Sequence, residues 1–172
     1  LDGTAPCVLY SYGSYEACLD SDWGYDWWRI LPSMLDRGVV YAIGHPRGGG
    51  EMGRRWWEDG HLEHKHHTFD DHIALGEYLK AGVVSSVVTR GGSAGGLLMG
   101  AITNMRPDLY AVVIAEVPFV DVLNTILDDT LPLTPPEWPE WGNPRTDIAA
   151  FNTIRGYSPY DNVAAKDYPA ML

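Results

Sequence analysis

Ser85-Ser86-Val87-Val88-Thr89-Arg90-Gly91-Gly92-Ser93-Ala94-Gly95-Gly96-Leu97-Leu98-Met99-Gly100 reads as a short β-branched strand, a turn of small residues and the opening of a helix. Gly91, Ser93 and Gly95 complete the G-x-S-x-G pattern of a nucleophile elbow. The spacing has a steric reason. A serine on a sharp strand-to-helix turn is held in a strained backbone conformation with its hydroxyl outward, while the positions two before and two after approach their neighbours too closely for a Cβ. The Ala94 amide would then sit at the start of the helix, where unpaired N–H groups and the helix dipole favour a developing oxyanion. The bare pattern also fits any glycine-rich turn. Its context favours the nucleophile: a strand before, an amphipathic helix (Leu97, Leu98, Ala101, Ile102, Met105) after, and Arg106-Pro107 as its stop.

Working outward, the apolar run Cys7 to Tyr12 suits a buried strand that exits at Gly13. Trp27, Trp28, Ile30, Leu31, Met34 and Leu35 have helical spacing, closed by Gly38. Residues 38–44 and 110–116 are continuous apolar runs, the pattern of parallel strands buried on both faces. Between them lie a loop from His45 to Gly53 and a helix opening at Thr68-Phe69-Asp70-Asp71 and running to Lys80. Strand alternating with helix predicts an α/β chain with a doubly wound, mostly parallel sheet, as in the α/β-hydrolase fold, incomplete at both ends. From Pro118 to Pro159 the periodicity gives way to prolines, acids and tryptophans, and residues 131–144 read as a rigid aromatic loop. Tyr168-Pro169-Ala170-Met171-Leu172 reads as the opening of one more strand.

At 172 residues the chain suits one domain. No stretch approaches a membrane span, and Leu1 to Pro6 has no signal-peptide pattern and no initiator Met, so an N-terminal part is expected to be missing. Two cysteines, Cys7 and Cys18, point to free thiols in a reducing, cytoplasmic setting. The net charge of −11 argues against nucleic acid or an anionic membrane as partners.

The remaining chemical candidates weigh differently. All six histidines (His45, His61, His64, His66, His67, His72) precede Ser93, whereas α/β-hydrolases follow the order nucleophile, acid, histidine. The general base and its acid are therefore expected beyond residue 172. His61-Leu62-Glu63-His64-Lys65-His66-His67 has spacings that a zinc site also uses. The intervening Lys65 and the lack of an H-E-x-x-H pattern favour a solvated linking segment, with no metal or cofactor expected. Arg47-Gly48-Gly49-Gly50-Glu51 lacks the Gly-Lys-Ser/Thr ending of a phosphate cradle and reads as a flexible loop with Arg47 and Glu51 in structural ion pairs. The seven tryptophans read as core or loop packing.

Several ordered blocks resemble one known family. They are Tyr10-Ser11-Tyr12-Gly13, Arg47 to Glu51, Thr68 to Asp71, Gly91 to Gly96, Arg106 to Leu109, Val117-Pro118-Phe119-Val120-Asp121, Glu140-Trp141-Gly142-Asn143-Pro144 and Tyr157 to Asn162. Together the chain resembles the catalytic domain of the prolyl oligopeptidase family, and within it the branch that cuts after basic residues. The resemblance implies a serine peptidase acting on short peptides, with a β-propeller domain outside this chain. It implies Ser93 as nucleophile, and the Ala94 amide and Tyr12 hydroxyl as oxyanion donors. It also implies Glu137 as an acid that pairs with an Arg or Lys side chain. The second acid of that site falls on Pro139, with Glu140 beside it, which weakens the expected basic preference. Alternatives are another peptidase or esterase of the family, or an inactive binding domain because this chain holds neither triad histidine nor acid. Oligomeric state is not legible.

Overall fold

The computed structural model describes residues 2–19 and 31–172. The Trp27–Ile30 part of the expected helix, and Trp23, lie outside them. Five strands, β1 (Pro6–Tyr10), β2 (Val40–Ile43), β3 (Ser86–Gly92), β4 (Val112–Glu116) and β5 (Ala170–Met171), form one parallel sheet in the order β2-β1-β3-β4-β5. The apolar runs therefore do form parallel strands, and the strand opening near Pro169 pairs with β4. One expectation is corrected: β2 lies at an edge of the described sheet, and its four residues are only half-buried.

The helices are α1 (Leu31–Leu35), α2 (Arg54–Glu58), α3 (His66–Lys80), α4 (Ala94–Met105), α5 (Val122–Leu127), α6 (Thr134–Trp141) and α7 (Ile148–Tyr157). α4 is more than amphipathic. It packs on β3, β4 and α3, and nearly every residue from Ala94 to Thr103 is buried. Its glycines allow this approach: a Cβ on Gly96 would lie 2.5 Å from Pro118 Cα, and one on Gly100 would lie 2.8 Å from Pro159 Cβ. Fully burying Leu97, Leu98 and Ile102 contributes about 1.5–3 kcal/mol each.

Two other expectations give way. Residues 131–144 are not a rigid loop, since α6 occupies 134–141. Pro135 and Pro136 stand in its first turn, where N–H groups lack an intrahelical acceptor anyway, and only Pro139 lies inside. Nor is 61–67 a solvated linker throughout. A 3-10 turn spans Leu62–His64, α3 begins at His66 rather than at Thr68, and Lys65 is 1% exposed.

Beneath the carboxyl ends of β1 and β3 lies a buried polar cluster. His72 Nδ1 is 3.0 Å from Ser11 Oγ and Nε2 is 2.8 Å from Thr89 Oγ1. Burial pushes this imidazole down to about 3, so folding selects its neutral form. Between that value and the ordinary histidine range the unfolded chain binds the extra proton, so stability falls as pH drops below about 6.5. The melting temperature of the full-length protein is expected to drop more between pH 7 and pH 5 than that of a His72→Gln variant. Equal drops would show that His72 carries no such linkage.

Candidate active site

The strand order reverses between β1 and β3: the chain leaves β1 for β2 on one side, and β3 leads to β4 and β5 on the other. In doubly wound sheets the crevice outside the carboxyl ends at such a reversal is where ligands bind. Ser93 stands there, joining β3 to α4. Its backbone is at φ 56°, ψ −117°, a region that costs a residue with a Cβ about 1–3 kcal/mol, and its side chain is exposed.

The surroundings enforce that turn. The Ser93 N–H donates to the Glu116 carbonyl at 2.9 Å, while the Ser93 carbonyl accepts from the amides of Leu97 and Phe119, each at 3.1 Å. Arg90 makes a bidentate pair with Glu116 at 2.9 and 3.0 Å, tying the end of β3 to the end of β4. A Cβ on Gly91 would lie 2.4 Å from the Gly95 carbonyl oxygen, and one on Gly95 would lie 2.8 Å from that of Ser11. The glycines are thus required where the pattern places them. The Ala94 N–H opens α4 and has no intrahelical acceptor.

Tyr12 follows β1 and reaches the same crevice. Its half-buried phenol is pushed above the ordinary tyrosine value by burial, partly pulled back by its interaction with the Ser93 side chain, and pushed further by the charges of Glu137 and Glu140. Tyr12 therefore stands beside Ser93 and within electrostatic reach of both acids.

The acids differ in what they are free to do. Glu140 is 5% exposed, and both its oxygens are engaged: Oε1 accepts from the Tyr15 amide and Oε2 from Trp57 Nε1, each at 2.8 Å. Glu137 is partly exposed. Its Oε2 accepts from Trp141 Nε1 at 3.2 Å, and Oε1 takes part in no hydrogen bond among the described residues. Both line a cavity of about 260 Å³ with Tyr15, Trp57 and Pro139. Arg54, on the same wall, is paired with Glu16 at 2.5 Å and Glu58 at 3.6 Å.

The other candidates lie elsewhere. Arg47 donates to both oxygens of Asp71, at 2.8 Å from Nε and 2.7 Å from Nη2, a structural ion pair as expected. Glu51 instead accepts from the Leu19 amide at 3.0 Å. His61 and His67 bond to the carbonyls of Glu58 and Asp59, and no histidine is hydrogen-bonded to Ser93 among the described residues. No group of three or more metal-ligating side chains comes together among them either. The burial of Lys65 and the Arg90–Glu116 pair have no counterpart in the motifs of the sequence. Lys65 was detectable in principle, because it stands four and seven residues before Phe69 and His72, on the same buried helix face.

A profile of the prolyl oligopeptidase family matches residues 23–172. The chain is 52% identical over 174 residues to dipeptidyl aminopeptidase BI of Pseudoxanthomonas mexicana, covering 99% of this chain and 23% of that protein. It is 48% identical over 173 residues to protease 2 of Moraxella lacunata, covering 99% and 24%. Among solved structures, oligopeptidase B of Trypanosoma brucei with covalently bound antipain superposes with a TM-score of 0.92 at 48% identity, covering 99% of this chain and 24% of that one. The chain thus spans about a quarter of the length of these relatives, and its architecture is that of an α/β-hydrolase domain.

Proposed function

Because the chain belongs to the prolyl oligopeptidase family, we propose that residues 1–172 are part of the catalytic domain of a serine peptidase that cleaves short peptides after Arg or Lys. The observation that carries this reading is the exposed, strained Ser93 beside the Tyr12 phenol, whose ionisation is raised by burial and further by Glu137, an acid with one carboxylate oxygen in no hydrogen bond among the described residues. The relative that holds antipain covalently supports an acyl-transfer site of this geometry.

In the full-length protein Ser93 Oγ attacks the peptide carbonyl while a histidine outside this chain, held by an acid also outside it, accepts the proton. The Tyr12 hydroxyl and the Ala94 N–H receive the negative charge that develops on the carbonyl oxygen. The leaving amine departs, and water then cleaves the acyl-enzyme. Glu137 pairs with the substrate's cationic side chain, which needs a partner once desolvated. Glu140, with both oxygens already engaged by Tyr15 and Trp57, adds negative charge and holds the wall in place. No cofactor enters this chemistry. The free thiols of Cys7 and Cys18 support a reducing, cytoplasmic setting for short peptide substrates.

The test compares benzoyl-Arg, succinyl-Gly-Pro and short acyl-ester substrates on the full-length protein. The benzoyl-Arg compound is expected to be the best, and a faster prolyl substrate would overturn the basic specificity. Glu137→Gln is expected to lower kcat/KM for the Arg substrate by about 10–10² through loss of a charge-assisted contact. Hydrolysis of the uncharged ester should be nearly unchanged. Equal losses on both would remove Glu137 from specificity.

A further inference from the structure

A lysine is almost never fully buried unless paired, yet Lys65 is 1% exposed and forms no ion pair among the described residues. Its Nζ donates to the Gly13 carbonyl oxygen at 2.7 Å and to Ser14 Oγ at 2.8 Å. The centroid of the Trp141 ring lies 5.1 Å away. The two acceptors belong to the residues that directly follow Tyr12.

We infer that Lys65 is a positioning residue for the oxyanion site: it clamps the turn out of β1 and thereby sets where the Tyr12 hydroxyl points. The inference rests on the proposed role of Tyr12. The turn has little other freedom. Gly13 is in the left-handed region at φ 71°, and a Cβ there would lie 2.5 Å from Thr68 Cγ2 and 2.9 Å from Pro46 Cγ. On the near side of Tyr12, the Ser11 N–H donates to the Arg90 carbonyl at 3.3 Å, and Ser11 Oγ meets His72. Tyr12 therefore hangs between two fixed points, one supplied by β3 and the α3 imidazole, the other by Lys65. On the far side, the Tyr15 amide donates to Glu140, so the same turn also braces the acidic wall.

The clamp does not depend on the charge of Lys65. Burial pushes the ammonium down to about 7, with Glu140 pulling it back. A neutral amine still carries two N–H donors, one for each acceptor.

A double-mutant cycle in the full-length protein tests the inference. Lys65→Met is expected to lower kcat by about 10–10², a part of the ~10²–10³ that loss of a whole oxyanion donor costs, with KM for the Arg substrate changed by less than about threefold. In a Tyr12→Phe background the same substitution should cost no more than about twofold, because no hydroxyl is left to misplace. Should Lys65→Met not fold, Ser14→Ala removes one acceptor only. It is expected to slow turnover several-fold in the parent and not in the Tyr12→Phe background. Losses that multiply in the double variants would overturn the inference, as would a folded Lys65→Met or Ser14→Ala protein with parental kcat. An unslowed Tyr12→Phe single variant would instead remove the oxyanion reading on which the inference rests.

Discussion

Replacing Ser93 with Ala is expected to lower kcat of the full-length protein by about 10⁴–10⁶, the range seen when a nucleophile that works as a unit with its base is removed. The same change is expected to leave stability within about 0.5 kcal/mol. The two halves of this expectation have different origins. The hydroxyl is exposed and caps no helix N–H, since Ser93 precedes α4 without a side-chain hydrogen bond to it. Stability therefore relies little on Oγ, whose interaction with the half-buried Tyr12 phenol is a single contact. The strain at φ 56°, ψ −117° belongs to the backbone and to Cβ, and Ala keeps both. Ser93→Gly should relieve it, so this variant is expected to be equally inactive but more stable than Ser93→Ala by about 1 kcal/mol. Activity measured with benzoyl-Arg substrates and melting temperature measured on the same samples separate the two effects. A Ser93→Ala protein that retains a tenth or more of parental turnover would remove Ser93 as nucleophile. A Ser93→Gly protein less stable than Ser93→Ala would show that the turn is not strained.

How far the sequence discloses this arrangement depends on which physical constraint each residue answers. The elbow is legible because its glycines answer a hard steric limit: contacts of 2.4 Å and 2.8 Å leave no room for a methyl group at Gly91 or Gly95. The strands are legible because β1 and β4 lie in continuous apolar runs, although the edge strand β2, read the same way, is only half-buried. Helix α6 is not, because its prolines read as breakers: Pro135 and Pro136 fit only a first turn, and Pro139 lies inside the helix. The burial of Lys65 hides for a similar reason. Its acceptors are residues 13 and 14, more than fifty positions earlier, and the four histidines around it mimic a solvated segment. Glu140 and Glu137 are three residues apart in α6, so the sequence presents them as a pair. Only the tertiary partners Tyr15 and Trp57 distinguish the acid with both oxygens engaged from the other.

Tyr12→Phe should cost the full-length protein about 10²–10³ in kcat with little change in KM, the signature of a contact made mainly in the transition state. Phe keeps the ring, and with it the packing against Tyr15 at a centroid distance of 6.4 Å, so the fold has little to lose. What disappears is one O–H donor. A phenol suits this task because it is neutral, and its surroundings keep it so. Burial pushes its ionisation above the ordinary tyrosine value, and the charges of Glu137 and Glu140 push it further. Ionisation would turn a donor into a negative charge facing the oxyanion. The sign of the shift therefore favours function: the donor stays protonated throughout neutral and mildly alkaline solution, and the pH–rate profile should show no loss attributable to Tyr12 below about pH 10. Steady-state kinetics across that range, on parent and Tyr12→Phe proteins, provide the measurement. A loss confined to KM would make Tyr12 a binding residue only, and an alkaline break near pH 8 that vanishes in the Phe variant would reverse the sign of the shift. On the proposed reading Glu137 thus has two effects: it pairs with the substrate's cation, and its charge helps keep the Tyr12 hydroxyl protonated.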